Sequence, residues 1–308
     1  VFRLDRHPVM SRHPVTPMDE ADLLRHLAAQ TRLPSALIDL ESLLSDPEAA
    51  LHKALQHGAR LLSIDSMDPV SEAAAGRLIW ENRDRLGFAV GSQGLEFALV
   101  RHWLATGLIP APPAAGSAGK VAQIAAVSGS VSPMTARQLD WSARNGFSLI
   151  GFDAATALTS PEALTTETER CVGLALAEAG EGQSPLVCSA IGPDDPAVTR
   201  LKTALATSHL SAQEANAMIG TGLGRVLDGL LQRSGIRRAV ISGGDTSGHG
   251  MRALGLSALT ALAPTIPGAA LCTAYGDGIH DGLQIALKGG QMGSEDFFGW
   301  IRDGGGPR

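Results

Sequence analysis

Val240-Ile-Ser-Gly-Gly-Asp-Thr-Ser-Gly-His-Gly250 is the stretch that decides the fold. The apolar run at residues 238–241 predicts a buried strand, and the chain from residue 246 onward reads as a helix. Glycines between the two suit a tight connection whose backbone N–H groups lie open to an anion. Such a strand-loop-helix unit is typical of an α/β protein with parallel strands.

The same alternation extends over all 308 residues. In the first part of the chain we expect a βαβαβ half-sheet. Its predicted strands cover residues 36–40, 61–65 and 88–90, and its predicted helices cover residues 17–30, 46–57 and 69–83. Asp65-Ser66 and the glycine-rich residues 91–94 follow two of these strands, so a ligand site at their ends is consistent with an open parallel sheet.

A second α/β sheet is predicted after a Pro-, Ala- and Gly-rich segment at residues 107–119, which reads as a linker. We therefore expect two domains, residues 1–106 and 120–308, each a largely parallel sheet flanked by helices, with a cleft between them. In the second domain the predicted strands are 121–127, 148–152, 185–190, 238–241, 270–274 and 283–287, and the predicted helices are 133–145, 161–178, 211–234 and 246–263.

Composition excludes several classes of protein. The net charge of -6 is spread along the chain, and no Lys/Arg stretch is interleaved with aromatic residues, which argues against a nucleic-acid partner. No apolar run approaches the ~20 residues that cross a bilayer. Three isolated cysteines without a CxxC pattern indicate reduced thiols and a cytoplasmic protein. The sequence opens on Val1 without a signal-peptide pattern, so we expect it to begin within a domain.

The decisive stretch is also the first candidate site. Gly243 and Gly244 would let backbone amides approach a phosphate, and Thr246 adds a hydroxyl donor at the helix start. Asp245 could orient a Mg²⁺ ion, which favours one or two carboxylates plus phosphate oxygens. The alternative is structural: the glycines make a tight turn and Asp245 caps the helix.

Two further clusters follow predicted strands. Ser130 and Ser132 lie in Ser-Gly-Ser-Val-Ser-Pro at residues 128–133, where their hydroxyls could bind phosphate or ribose, or simply cap a helix. Lys288, Gly289 and Gly290 form a strand end and glycine turn that could hold phosphate with a cation. A solvated lysine is the alternative there.

The other motifs in the sequence give weaker evidence about function. No GxxxxGK[ST] loop occurs, and no GxGxxG unit with a later acidic residue supports a nicotinamide-dependent oxidoreductase. His249 reads as a solvated loop residue. The Asp277, His280 and Asp281 grouping matches no standard metal spacing.

Taken together, SGSVSPMTARQ at residues 128–138, SGGDTSGHGMRALG at 242–255, and IPGAAL with ALKGGQMG at 266–293 resemble the four-carbon acid sugar kinase family, once a domain of unknown function. HPVTPMDEADLLRHLAAQT at 13–31 and FAVGSQGLEFAL at 88–99 are similar to the later part of that family's N-terminal domain. The resemblance covers nearly the whole chain.

The resemblance implies ATP-dependent phosphorylation of a terminal hydroxyl of a short acid sugar such as threonate, erythronate or a 3-oxo relative. The N-terminal domain would hold the sugar acid, and the C-terminal domain would hold ATP with Mg²⁺. Carried over by position, ATP contacts fall on the residues of the three clusters: Ser130, Ser132, Gly243, Gly244, Asp245, Thr246, Lys288, Gly289 and Gly290.

Two departures from the family pattern matter. The family reads KSGNFG where this chain has KGGQMG, so Gly289 and Gln291 replace Ser and Asn. The family's DDLTGA-like acidic loop is absent from residues 1–308, which leaves the catalytic base unknown and Asp245 the best candidate. A nucleotide-binding module without kinase activity therefore stays open, as does a homodimer. Gly244→Val is predicted to block nucleotide binding by filling the phosphate space and resisting a positive φ.

Overall fold

A computed structural model of the protein describes residues 2–8, 10–12, 16–113 and 116–308. The chain divides into two compact units, Val1–Pro113 and Ala114–Arg308. This division falls within the predicted linker, of which residues 114 and 115 lie outside the described residues, as do residues 13–15 of the family-like segment 13–31. The exact domain limits and the cleft stay predictions.

The N-terminal unit is built on a short parallel pair of strands with helices around it. Strands β1 and β2 pair with Ile38 opposite Ile64, and a core that includes Leu43, Leu51 and Leu78 packs against them. The elements are two 3-10 turns at Leu4–Arg6 and Met10–Arg12, α1 Leu23–Ala28, β1 Ser35–Ile38, α2 Leu40–Ser45, α3 Pro47–Gln56, β2 Leu61–Ile64, α4 Pro69–Glu81, α5 Arg83–Leu86 and α6 Gln93–Ala105.

Two predictions for this unit are wrong. The predicted helix at 17–30 begins only at Leu23, because Asp22 caps it by accepting hydrogen bonds from the N–H groups of Leu24 and Arg25. No strand forms at residues 88–90, where Phe88 is 84% exposed. Only three apolar residues separate flanking glycines there, and no neighbouring strand pairs with them. Helix α6 was not foreseen.

The C-terminal unit contains a seven-stranded sheet in the order β4-β5-β3-β6-β9-β8-β7. The first five strands of this order are parallel, and β8 runs antiparallel to both of its neighbours, β9 and the edge strand β7. The strands are β3 Ala125–Ser128, β4 Phe147–Gly151, β5 Ser184–Cys188, β6 Arg238–Ser242, β7 Leu256–Ala263, β8 Leu271–Gly276 and β9 Gln284–Lys288. The helices are α7 Pro133–Ala143, α8 Ala154–Ala157, α9 Pro161–Gly180, α10 Pro196–Ala206, α11 Ala212–Ser234, α12 Gly244–Ala253 and α13 Phe297–Arg302. The predicted α/β class with largely parallel sheets is confirmed.

Helices cover both faces of this sheet. One core joins the sheet to α9 and α11, with Leu223 and Leu227 among its fully buried members. The opposite core joins it to α7 and α13 through Leu139 and Phe297. Helix α12 packs along α11. Helix α7 follows β3 on one face and α12 follows the adjacent β6 on the other, so the sheet has a switch point between these strands, which is the position where ligands bind in open α/β sheets.

The predicted helix at 246–263 is wrong in its second half. Helix α12 ends at Ala253, and Gly255 follows with φ 65°, a left-handed conformation that breaks a helix. Residues 256–263 then pair antiparallel with β8. In the described part of the chain, no helix is long and apolar enough to span a membrane.

Candidate functional site

The three clusters predicted from the sequence meet at one edge of the C-terminal sheet. Strands β3, β6 and β9 are parallel neighbours, and their last residues, Ser128, Ser242 and Lys288, lie opposite one another in register. Paired residues of parallel strands point to the same face of a sheet. The three loops that follow therefore leave the sheet side by side.

The loop after β3 is tied to the loop after β9. The Ser132 side chain caps α7 by accepting from Thr135 N–H at 3.0 Å. The hydroxyl of Ser132 donates to the Gly290 carbonyl, and Thr135 Oγ1 donates to the same carbonyl at 3.0 Å. Ser130 Oγ accepts from the Ser132 backbone N–H at 3.3 Å. Capping thus accounts for part of what Ser132 does, as the structural alternative predicted.

The loop after β6 needs glycine at one position in particular. Gly243 has φ 124°, and its N–H donates to the Lys288 carbonyl at 2.8 Å. A Cβ at this position would also lie 2.8 Å from Thr246 Oγ1. The expected positive φ is therefore at Gly243, whereas Gly244 is the first residue of α12 and has open space around it.

The start of α12 carries no side-chain cap. Asp245 does not cap the helix, so the capping alternative for this residue is wrong. The first N–H groups of an uncapped helix, together with its dipole, attract an anion. Thr246 is buried, and its hydroxyl packs between Gly129 and Gly243, so its position holds the two loops together.

Lys288 is buried beneath the third loop rather than solvated. Its side chain is 1% exposed, and its Nζ donates to the Gly289 carbonyl at 3.1 Å. None of the ion pairs among the described residues includes it. Burial lowers the pKa of Lys288 to about 8. An anion at the loops would supply the countercharge that this ammonium lacks.

Two hydroxyls in the same row of the sheet as Lys288 were not foreseen. Ser128 Oγ and Ser242 Oγ are fully buried, and neither has a hydrogen-bond partner within the described chain. Unpaired buried polar atoms are costly and need an explanation. Nothing in the sequence distinguished them from ordinary strand-end serines.

The N-terminal unit places two carboxylates together. Asp39 and Asp65 directly follow the paired strands β1 and β2. Asp39 accepts from Ser42 N–H at 2.8 Å, which lowers its pKa. Burial, and then the nearby charge of Asp39, raises the pKa of Asp65. Two carboxyls whose pKa values are pushed apart suit different roles.

Comparison with known proteins identifies the chain. Residues 125–298 match a family model described as a nucleotide-binding C-terminal domain, and residues 1–99 match one described as a sugar-binding N-terminal domain. The chain belongs to the four-carbon acid sugar kinase family. The predicted resemblance is therefore confirmed.

Curated members of the family are similar over most of the chain. A 3-oxo-isoapionate kinase of Paraburkholderia graminis is 44% identical over 305 residues, covering 98% of this chain and 65% of that protein. A 3-oxo-tetronate kinase of Pseudomonas fluorescens is 30% identical, covering 94% of this chain and 63% of that protein. The chain thus spans less than two thirds of the length of these acid sugar kinases.

A solved structure shares the fold. A crystal structure from Salmonella typhimurium LT2, under the provisional name of a tRNA synthase, superposes with a TM-score of 0.70 at 25% identity. The superposition covers 95% of this chain and 65% of the Salmonella chain. The fold described above is therefore also found in a solved protein structure.

Asp245 fits a metal only as one ligand among several. It is exposed in the first turn of α12, and the described residues hold no group of three or more His, Cys, Asp or Glu that could bind a metal ion. A single carboxylate beside a phosphate site suits Mg²⁺, which takes most of its ligands from phosphate and water. The residues fit Mg²⁺ brought by a nucleotide.

The residues set aside on the sequence have structural partners. His249 packs against α11 at Gly220, and His280 is buried and contacts Asp228 Oδ1 through Nε2 at 2.7 Å. His249 thus lies in α12 rather than in a solvated loop, so that interpretation is wrong, and His280 joins the loop before β9 to α11.

Gly244→Val tests the helix start as an anion site. Since nothing lies within 4 Å of an added Cβ at Gly244, the variant should fold, and only a ligand at the N–H groups would meet the new side chain. We expect the Kd for MgADP to rise at least tenfold in isothermal titration. Gly248→Val, in the same helix with equally open space, is the matched control. Equal affinity in both variants would remove this loop from the site.

Proposed function

We propose that the C-terminal unit binds ATP with Mg²⁺ and that the γ-phosphate passes to a hydroxyl of a short acid sugar held by the N-terminal unit. The observation that supports this proposal is that three loops meet around an uncapped helix start and around Lys288, which is buried and has no acidic partner among the described residues. Membership of the acid sugar kinase family supports the same reading.

In this proposal the phosphates lie against the N–H groups of Gly244 and Asp245, with Lys288 below them. Oriented N–H groups and a fixed cation stabilise charge as it shifts between phosphoryl oxygens, and this is most of what catalysis of phosphoryl transfer requires. Asp245 would hold Mg²⁺, which neutralises phosphate charge when bound. Gly129 and Gly243 keep side chains out of the space that the loops share with Thr246.

The acceptor would bind beside Asp39 and Asp65. Asp65 has a raised pKa and makes no side-chain hydrogen bond within the described chain, so it is available to take the hydroxyl proton. The hydroxyl oxygen then bonds to the γ-phosphorus as the bond between that phosphorus and the β-phosphate oxygen breaks, releasing ADP. Asp65 thereby replaces Asp245 as our candidate for the base.

The substrate class follows the relatives. Both relatives are named as kinases of 3-oxo acid sugars, so we place 3-oxo acid sugars ahead of threonate and erythronate. The 44% identity to the 3-oxo-isoapionate kinase, against 30% to the 3-oxo-tetronate kinase, puts 3-oxo-isoapionate first. A cytoplasmic location belongs to the same proposal. It is supported by three free cysteines, of which burial raises the pKa of Cys171 and Cys188 to about 12 and so keeps both thiols unreactive.

The test is ADP release from MgATP in the presence of 3-oxo-isoapionate, 3-oxo-tetronate, threonate and erythronate, with MgADP binding measured on the same sample. Turnover with at least one acid is the expected result. Nucleotide binding without turnover on any acid would indicate a nucleotide-binding module instead. Absence of both in a folded sample would refute the proposal.

Nucleotide affinity should depend on pH through Lys288. In the free protein the amine of Lys288 is half protonated at about pH 8. A bound anion favours the protonated form, so the affinity for the nucleotide is highest below pH 8 and decreases above it. Loss of one charge-assisted hydrogen bond, about 1.5–3 kcal/mol, corresponds to a decrease of about tenfold or more by pH 10. Titrations at pH 8 in buffers of different ionisation enthalpy should show proton uptake.

Lys288→Arg is the control for this pH dependence, because its guanidinium stays charged throughout the range. We expect its nucleotide affinity to be flat between pH 7 and 10. A flat profile in the unsubstituted protein would show that Lys288 does not face the phosphates.

A further inference from the structure

The segment that follows α13, residues 303–306, lies against the end of the predicted linker. The N–H of Ala118 donates to the Gly304 carbonyl at 2.8 Å, and the N–H of Val121 donates to the Arg302 carbonyl at 3.0 Å. Two backbone hydrogen bonds therefore join the chain that enters β3 to the chain that leaves α13. We call residues 303–306 the strap.

The closest approach of the strap to the linker is at Gly304. This residue has φ 101°, and a Cβ there would lie 2.4 Å from the carbonyl oxygen and 2.5 Å from the backbone nitrogen of Gly119. Backbone atoms cannot swing aside as the end of a flexible side chain can, so the contact requires glycine. The Ser117 hydroxyl adds a hydrogen bond to the Asp303 carbonyl at 3.2 Å.

The strap is itself fixed to the C-terminal unit. The N–H of Gly306 donates to the Pro264 carbonyl after β7 at 2.8 Å, and the N–H of Gly305 donates to the Trp300 carbonyl at 2.9 Å. The guanidinium of Arg308 lies over the Trp300 ring, 4.1 Å from its centroid. The linker therefore rests on a segment that has its own attachments to α13 and to the chain after β7.

Arg238 holds the same end of the linker. Its guanidinium donates to the carbonyls of Gly119 and Ala118 at 2.7 and 3.4 Å. Both backbone groups of Ala118 are thus bonded, its N–H to the strap and its carbonyl to Arg238. A residue held in this way belongs to the fold of the C-terminal unit rather than to a mobile connection.

At its other end the linker is attached to α6. The N–H groups of Leu108 and Ile109 donate to the Trp103 carbonyl at 2.8 and 3.4 Å. In the part of the chain that the structure describes, no backbone-to-backbone hydrogen bond falls between Ile109 and Ala118. The strap contact thus determines whether residues 118–123 are part of the fold or part of the linker, whose length would roughly double if they joined it.

We propose that the strap is a positioning element for phosphoryl transfer between the two units, because it fixes the point at which the linker leaves the C-terminal unit and keeps the connection short. This inference rests on the proposed function. Effective concentration falls roughly as the −3/2 power of linker length, so a doubled linker lowers it about threefold. None of the described contacts of the strap reaches the three clusters, so nucleotide binding does not depend on it.

Ala118→Pro tests the anchor, because proline lacks the N–H that the Gly304 carbonyl accepts. Ala111→Pro is the matched control, since Ala111 is exposed in the Pro-rich part of the same linker and its N–H makes no backbone hydrogen bond. Trypsin cleaves after lysine, and Lys120 is exposed within the anchored stretch. In native digestion followed by mass spectrometry, we expect the fragment that begins at Val121 to form about tenfold faster in Ala118→Pro than in the control.

Phosphoryl transfer is measured on the same proteins as single-turnover ADP formation at a saturating acid sugar. We expect Ala118→Pro to be about threefold slower, with the Kd for MgADP and the half-saturating acid concentration unchanged. Ala111→Pro should match the unsubstituted protein. Gly304→Val disrupts the same contact from the strap side and should reproduce both effects of Ala118→Pro.

The outcomes separate this inference from the proposed function. If the unsubstituted protein turns over no acid sugar, the proposed function fails and the positioning role fails with it, while the trypsin rates still report whether the strap anchors the linker. Equal cleavage of Ala118→Pro and Ala111→Pro would overturn the anchor. Faster cleavage with an unchanged transfer rate would overturn the positioning role. Weaker MgADP binding in the two strap variants would also overturn it, because the strap would then support the C-terminal unit as a whole.

Discussion

Asp65→Asn should lower kcat by about 10²–10⁴-fold, the usual contribution of a positioned general base. The nucleotide would still bind, since every residue assigned to it lies in the other unit. Because burial raises the pKa of Asp65, the acid limb of the kcat/KM profile of the unsubstituted protein should lie above the pH at which an ordinary aspartate titrates. The measurements are steady-state ADP release from pH 4 to 9 and MgADP titration on both proteins.

Asp84→Asn is the matched control, because Asp84 is an exposed carboxylate of the same unit. It should leave turnover unchanged. The stability of the variant provides a second check. The raised pKa of Asp65 means that the folded protein disfavours its charged form, so Asp65→Asn should not lower the free energy of unfolding at pH 7. A destabilised variant with proportionally lost activity would indicate a structural role, and full turnover would exclude Asp65 as the base.

Local signals in the sequence were sufficient for much of the C-terminal unit. The strand, glycine turn and helix around Gly243 and Gly244 were predicted because an apolar run, glycines and a helix pattern are all contiguous there. Strand β7 was not predicted, because the sequence of residues 256–263 is compatible with a continuing helix. Its strand conformation depends on antiparallel pairing with β8. In the N-terminal unit, residues 88–90 show the converse, an apolar run that has no strand to pair with.

The candidate site was predictable as a set of residues but not as an environment. Parallel strands place their carboxyl ends together, so Ser130, Gly243 and Lys288 could be expected at one edge. Lys288 is buried because β9 lies between β6 and β8, and no local sequence pattern predicts that strand order. The pairing of Asp39 with Asp65 likewise depends on the register of β1 and β2. Side-chain surroundings are set by strand order, and strand order is nonlocal.

Arg238→Met should destabilise the C-terminal unit by about 3–5 kcal/mol, because it leaves several buried acceptors without a donor. Arg238 is 2% exposed at the start of β6. Its guanidinium donates to Gln284 Oε1 and the Gly119 carbonyl, each at 2.7 Å, and to the Ile301 and Arg302 carbonyls at 3.2 and 3.1 Å. One side chain thus joins two central strands, the segment before β3 and the end of α13.

Methionine retains most of the aliphatic stem, so the expected loss comes from the hydrogen bonds rather than from a large cavity. Native-state hydrogen exchange followed on peptides from β3 and β6 reports the opening free energy of this unit alone, whatever the N-terminal unit does. Arg225→Met, at an exposed site of α11, should change that free energy by no more than about 0.5 kcal/mol. Equal protection in the two variants would mean that water replaces the guanidinium at no cost, and that the amino-terminal edge of the sheet is held by the apolar contacts of α13 instead.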